Sequence, residues 1–250
     1  MVDLWVRRPG AELACWVRGD GPAVGYAHGM MLSRAAEEAR GLHDWAPVTG
    51  TRRMVRYDAR AHGESSGRAV VEDYTWPRLA EDLIAVAEET GTTDFMGASM
   101  GCGTLLWAAV TAPERFRRLV LIIPPTTGVT RAGAARLYLA EAAAASFDGA
   151  PSAPPPIFAG LASYPQRVSV GDGLLPSVLR GAAASDLPGR DALAMIRQPA
   201  LILAWDTDPV HPVGSARMLS EVLPNAKLQV ATSEAEVRRW PDEIAEYLNS

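Results

Sequence analysis

The pentapeptide Gly97-Ala98-Ser99-Met100-Gly101 is the stretch of this chain best suited to covalent chemistry. It lies between an apolar run at Asp94-Phe95-Met96 and another from Cys102 to Val110, a strand–turn–helix setting. A G-x-S-x-G segment in that setting is a nucleophile elbow, a turn sharp enough to strain the serine backbone and expose its hydroxyl. The flanking glycines keep side chains clear, so Ser99 Oγ is expected to stand at the end of a sheet. A hydroxyl is almost never ionised near neutral pH, so Ser99 needs a base, and the base needs an acid to orient it. The chain has four histidines, His28, His43, His62 and His211, and none follows His211. The base is the open question in this sequence.

The surrounding elements are legible from apolar patterning and turn residues. Strands are predicted around Asp3–Arg8, Leu13–Arg18, Ala23–Ala27, Arg53–Tyr57, Leu119–Ile123, Ala200–Trp205 and Lys227–Ala231, with Phe95 and Met96 leading into Ser99. Helices are predicted over Ala35–Leu42, Trp76 to about Thr90, 101–111, Ser215–Leu223 and Pro241–Leu248. Leu79, Leu83, Ile84, Val86 and Ala87 carry a 3.6-residue period, and Pro77 suits a first helical turn. Strands alternating with helices through short loops predict an α/β fold, a mostly parallel sheet covered on both faces. Between Pro124 and Gln198 the alternation stops. Arg131–Phe147 is Ala-rich and helical, Gly149–Pro156 is a Pro/Ala/Ser segment, and Leu174–Leu193 holds short helical pieces. This reads as a helical cap, residues 124–198, inserted into a core of residues 1–123 and 199–250, and shaping a pocket over the strand ends.

Bulk properties narrow the class. At 250 residues, 48% apolar and 21% charged, the chain has the composition of a globular protein with ample core. A formal net charge of −5 argues against a nucleic-acid partner. No apolar run approaches a membrane span, and the first residues do not read as a signal peptide, so a cytoplasmic location is expected. Cys15 and Cys102 fall on an apparent strand and a buried helix and read as reduced core residues. No Gly-rich phosphate loop, dinucleotide fingerprint or metal-ligand cluster is visible, and no cofactor is expected. A small molecule is the expected partner, and the chain is compatible with a homodimer.

Four stretches, in order, resemble the α/β-hydrolase superfamily over nearly the whole chain outside the cap. His28-Gly29 follows the third strand where that family places its oxyanion loop. Tyr57-Asp58-Ala59-Arg60-Ala61-His62-Gly63-Glu64-Ser65 is similar to its Y-D-x-R-G-H-G-x-S turn, with Ala61 where glycine is usual. Gly97–Gly101 is the elbow. Leu201 to Pro212 resembles the strand before the catalytic acid and the acid loop itself.

The resemblance implies that Ser99 attacks a carbonyl carbon while the backbone N–H groups of Met30 and Met100 stabilise the oxyanion. It assigns Asp208 as the acid, with Asp206 the fallback. The family's histidine follows the last strand, where this chain has Thr232-Ser233-Glu234-Ala235-Glu236. His211 satisfies the chain order and lies close to Asp208; His28, in the oxyanion loop, is the second candidate, and Glu234 or Glu236 would sit nearest the vacated place. His62 is expected to brace its turn, and His43 to lie in solvent past a surface helix. Met30, Met31, Met100 and Trp205 suggest an apolar pocket. The expected activity is hydrolysis of a small apolar ester, lactone or thioester with a non-standard or missing base. The alternative is a catalytically silent relative that binds a small molecule or partner.

Overall fold

The structure, a computed structural model, describes residues 3–41, 43–148 and 168–250. Eight strands form one sheet: β1 (Leu4–Arg8), β2 (Ala11–Arg18), β3 (Ala23–Ala27), β4 (Arg53–Tyr57), β5 (Asp94–Ala98), β6 (Arg118–Ile122), β7 (Ala200–Trp205) and β8 (Ala226–Ala231). Their spatial order is β1-β2-β4-β3-β5-β6-β7-β8. β2 pairs antiparallel with both β1 and β4, and every other pairing is parallel.

The helices are α1 (Arg34–Arg40), α2 (Ala46–Thr49), α3 (Trp76–Thr90), α4 (Met100–Thr111), α5 (Gly128–Asp148), α6 (Leu175–Ala183), α7 (Arg190–Ala194), α8 (Val213–Val222), α9 (Glu234–Val237) and α10 (Trp240–Asn249). The short α2 and α9 are absent from the sequence reading, because four residues cannot show a helical period. Between β6 and β7 the described residues form α5, α6 and α7, with α5 and α6 packed on each other. The Gly149–Pro156 segment lies outside the described residues.

The central strands read as unbroken apolar runs because successive side chains point to opposite, equally covered faces. Phe95, Leu119, Leu121 and Ile202 pack with Leu79, Leu83, Leu105, Leu106 and Leu219 of α3, α4 and α8. Their neighbours Met96, Val120, Leu201 and Leu203 pack on the other side with Trp45, Val48, Ile244 and Leu248. Cys15 and Cys102 are free and buried within the first of these layers.

Buried ion pairs fasten the loops to these layers. The turn after β4 is tied to α3 by Arg60, whose Nε and Nη2 donate to Asp82 at 2.6 and 2.7 Å, both side chains almost wholly buried. Arg8 Nε adds a third bond to Asp82 at 3.1 Å. Removing the carboxylate would leave Arg60 only Asp73 at 3.4 Å. The Asp82→Ala protein is therefore expected to lose about 3–5 kcal/mol of stability. Urea unfolding should show a lower midpoint at an unchanged slope.

Candidate active site

Ser99 occupies the single residue between β5 and α4, with φ 50° and ψ −110°. Its N–H donates to Ile122 O at 3.1 Å and its carbonyl accepts from Cys102 N at 2.9 Å, so both peptide groups are held. The glycines on either side are sterically required. A Cβ on Gly97 would lie 2.4 Å from Gly101 O, and one on Gly101 would lie 2.1 Å from Ala27 O. A larger residue at either position would push α4 off the sheet.

The structure brings His211 to this serine. His211 Nε2 lies 2.8 Å from Ser99 Oγ, and His211 Nδ1 lies 2.9 Å from Asp208 Oδ2. A carboxylate accepts, so Nδ1 carries the proton and Nε2 presents its lone pair to the serine hydroxyl. The other carboxylate oxygen, Asp208 Oδ1, accepts from Val210 N at 2.8 Å and His211 N at 3.0 Å. Burial alone would raise the Asp208 pKa. The hydrogen bond and charge of His211, with the two backbone amides, outweigh that and hold it below the usual carboxylate value. Asp208 thus stays ionised beside the imidazole. Asp206 is exposed and makes no such contact.

The other candidate bases stand elsewhere. His28 Nδ1 bonds Gly29 O at 2.7 Å and its Nε2 accepts from Ala59 N at 2.9 Å, so both ring nitrogens serve the backbone. Of the two sequence candidates, His211 rather than His28 meets Ser99 in the structure. His62 likewise bridges Arg60 O at 2.9 Å and Met31 N at 3.2 Å. Glu234 pairs with Arg238 at the surface. Glu236 accepts from Thr232 N at 2.6 Å, while Ser233 caps α9 by accepting from Glu236 N, a capping arrangement unconnected with Ser99. His43 departs from the solvated position expected: it is half-buried, stacks on Trp45 with ring centroids 4.9 Å apart, and helps line the cavity over Ser99.

That cavity has an empty volume of about 1090 Å³ and opens to solvent. Its catalytic end holds Ser99, Asp208 and His211 beside Gly29, Met30 and Met100; a Cβ on Gly29 would lie 3.7 Å from Ser99 Cβ. Neither the Met30 nor the Met100 amide donates to an acceptor among the described residues. Its walls are mainly apolar, with Met31, Leu32, Ile123 and Trp205 prominent, and Val237 and Trp240 closing the side where the sequence lacks a histidine. Pro125, Arg131, Tyr138 and Ala182 enter from the segment between β6 and β7. Among the described residues four non-glycines have positive φ, and three of them, Met31, Ser99 and Ile123, line this cavity. Backbone strain of this kind gathers where function demands it. Among the described residues no cluster of three or more His, Cys, Asp or Glu is placed to hold a metal ion, and no helix is long and apolar enough to cross a membrane.

A model of the alpha/beta hydrolase fold family matches residues 32–151. The solved structure of a hydrolase from Pseudomonas aeruginosa superposes with a TM-score of 0.76 at 22% identity, covering 99% of this chain and 98% of that one. The fold is that of the α/β-hydrolase superfamily. A thermophilic esterase from Thermogutta terrifontis superposes with a TM-score of 0.74 at 20% identity, over 96% of this chain and 93% of its own. In sequence, the chain is 29% identical over 191 residues to 3-oxoadipate enol-lactonase 2 of Acinetobacter baylyi, spanning 71% of this chain and 69% of that protein.

Within this α/β-hydrolase fold, sequence reasoning missed Arg131, Tyr138, Trp76 and Trp240 as cavity residues. The first two sit on an Ala-rich helix whose period does not mark a face, and the tryptophans are equally well explained as core. His62 offers a pH test of the scaffold under the site. Burial pulls its pKa from 6.5 to about 3. Below pH 6.5 the unfolded chain therefore takes up a proton that the folded protein refuses, and stability falls as pH drops from 6.5 towards 3. Between pH 7 and pH 5 this one group should contribute about 2 kcal/mol of lost stability at 1.36 kcal/mol per unit. Urea midpoints should fall over that interval, and fall by correspondingly less in His62→Gln.

Proposed function

We propose that this chain is a serine hydrolase of small carboxylic esters or lactones, with Ser99 as nucleophile, His211 as general base and Asp208 as the orienting acid. The observation that carries the reading is the continuous hydrogen-bonded line from Ser99 Oγ through the His211 ring to Asp208, at 2.8 and 2.9 Å. The histidine missing from the loop after β8 is replaced by one three residues beyond the acid. The esterase and lactonase relatives support the ester or lactone class, and the largely apolar walls support an uncharged body for the substrate.

Ser99 Oγ attacks the carbonyl carbon as its proton passes to His211 Nε2. The Met30 and Met100 amides receive the oxyanion. Collapse breaks the bond to the alcohol oxygen, which takes the proton back from His211, leaving an acyl-Ser99. A water molecule, deprotonated by His211, then releases the acid and restores the serine. Asp208 remains a carboxylate throughout and stabilises the imidazolium. The helical segment 124–198 is read as a cap that supplies one wall of the pocket.

Labelling with a fluorophosphonate probe, followed by intact mass, tests the assignment. Wild type should take one label, Ser99→Ala none, and His211→Ala should label at least 10³-fold more slowly, within the roughly 10⁶ that a lost base can cost. Folded wild type that takes no label, or His211→Ala that labels at the wild-type rate, would overturn it. The first result would leave a small-molecule binder as the reading.

A further inference from the structure

Among the described residues five arginines are almost fully buried: Arg34, Arg52, Arg56, Arg60 and Arg131. The first four each meet a carboxylate, respectively Asp58, Asp94, Glu37 and Asp82, at 2.6–3.1 Å. Arg131 meets none. It is also the one arginine that lines the cavity over Ser99. Its Nε donates to Ser185 O at 2.8 Å and its Nη2 to Ala182 O, which fixes the guanidinium plane without neutralising it. The guanidinium carbon lies 4.3 Å from the Trp76 ring centroid and 5.4 Å from that of Tyr138. Asp186, on the neighbouring loop, accepts instead from Thr127 Oγ1, Gly128 N and Leu187 N.

A cation held in an apolar wall with no carboxylate in direct contact is costly, and packing on Trp76 could be achieved by an uncharged chain. The Tyr138 side chain is a further hydrogen-bond partner and Asp186 a nearby charge, but among the described residues no carboxylate accepts directly from the guanidinium, which leaves that place for a substrate anion. Burial weakens the hold of Arg131 on its proton by more than Tyr138 and Asp186 strengthen it, although an arginine remains protonated. We infer that Arg131 is a specificity-determining residue that receives a free carboxylate of the substrate, so that the preferred ester or lactone is a monoanion. A single rigid fork in an apolar wall suits a carboxylate; a phosphate dianion would call for more donors than this wall offers. The inference rests on the hydrolase reading above and names its substrate class.

The test compares p-nitrophenyl butyrate with the mono-p-nitrophenyl esters of succinate, glutarate and adipate. Wild type should prefer one half-ester over the neutral ester by roughly 10–100-fold in kcat/KM, the range of a charge-assisted hydrogen bond. The preference should peak at one chain length and be expressed in KM. Arg131→Met should bring the ratio close to unity, and Arg131→Lys should keep part of it. A ratio unchanged in Arg131→Met, or no wild-type preference at any length, would overturn the inference.

Because Arg131→Met could fail to fold, glutarate binding is measured in parallel by tryptophan emission of Ser99→Ala. A saturable change with glutarate, absent with its dimethyl ester, supports the anion site even if no ester is turned over, an outcome that would overturn the hydrolase reading alone. Ester turnover without preference and without glutarate binding would overturn the anion site alone.

Discussion

The carboxylate of Asp208 has two separate tasks, and the site depends on its performing both. One oxygen accepts the Val210 and His211 amides and folds the loop after β7 into a tight turn. The other receives the His211 ring. The relation of Asp208 to His211 is therefore set by three residues of local backbone, not by the packing of two distant loops. What remains to be set is the reach from that loop to Ser99. β5 and β7 are separated only by β6, so their ends lie about 10 Å apart at the spacing of neighbouring strands. An aspartate and an imidazole in series span that gap.

With His211 as the proposed base, the connection after β8 has no part in the proposed catalytic line. In this chain it forms α9, capped by Ser233, and continues into α10 through Trp240. Val237 and Trp240 then face the cavity together with Trp205 at the end of β7. A position that would otherwise hold an ionisable ring thus becomes apolar wall. The low polarity beside His211 suits an uncharged substrate body on that side. The charge recognition proposed for Arg131 would come from the other contribution, α5.

Much of this was legible from residues alone, for identifiable reasons. Parallel strands such as Ala200–Trp205 announced themselves because burial on both faces demands unbroken apolar runs, and Ala23–Ala27, Arg53–Tyr57 and Ala200–Trp205 match their observed limits. The elbow was legible because Gly97 and Gly101 leave no room for a Cβ. His211 could be named from chain order, but not separated from His28, since the difference lies in which backbone groups each ring meets. His28 is claimed by Gly29 and Ala59, partners that only the folded β3 and β4 ends bring together. His43 was misplaced because it follows a polar helix, whereas its neighbour Trp45 packs against Tyr26 and draws the segment inward. Arg131 was invisible for a related reason. An Ala-rich helix gives no period from which to tell which arginine turns inward.

The strain at the cavity explains why its floor is so heavily cross-linked. Met31, Ser99 and Ile123 hold backbone conformations that cost on the order of 1–3 kcal/mol each, and such residues persist only where their surroundings over-determine them. Ile123 is pinned by its N–H to Leu203 O at 2.7 Å, and Ser99 by Ile122 O. Met31 is pinned from both sides, its amide donating to His62 Nε2 and its carbonyl accepting from Ser169 N. His62 can accept that amide only while Nε2 is unprotonated, so the burial that keeps the ring neutral also keeps the oxyanion loop in shape. The turn carrying His62 is in turn held by Asp58 with Arg34 and by Arg60 with Asp82. Ala61, the alanine in a left-handed conformation where glycine is usual, is tolerated within this frame because its methyl packs against Tyr74 and Val178, offsetting part of the backbone cost. The ion pairs around residues 58–65 therefore do more than stabilise the fold. Through His62 they hold the Met31 amide, one peptide beyond the Met30 amide proposed as an oxyanion donor.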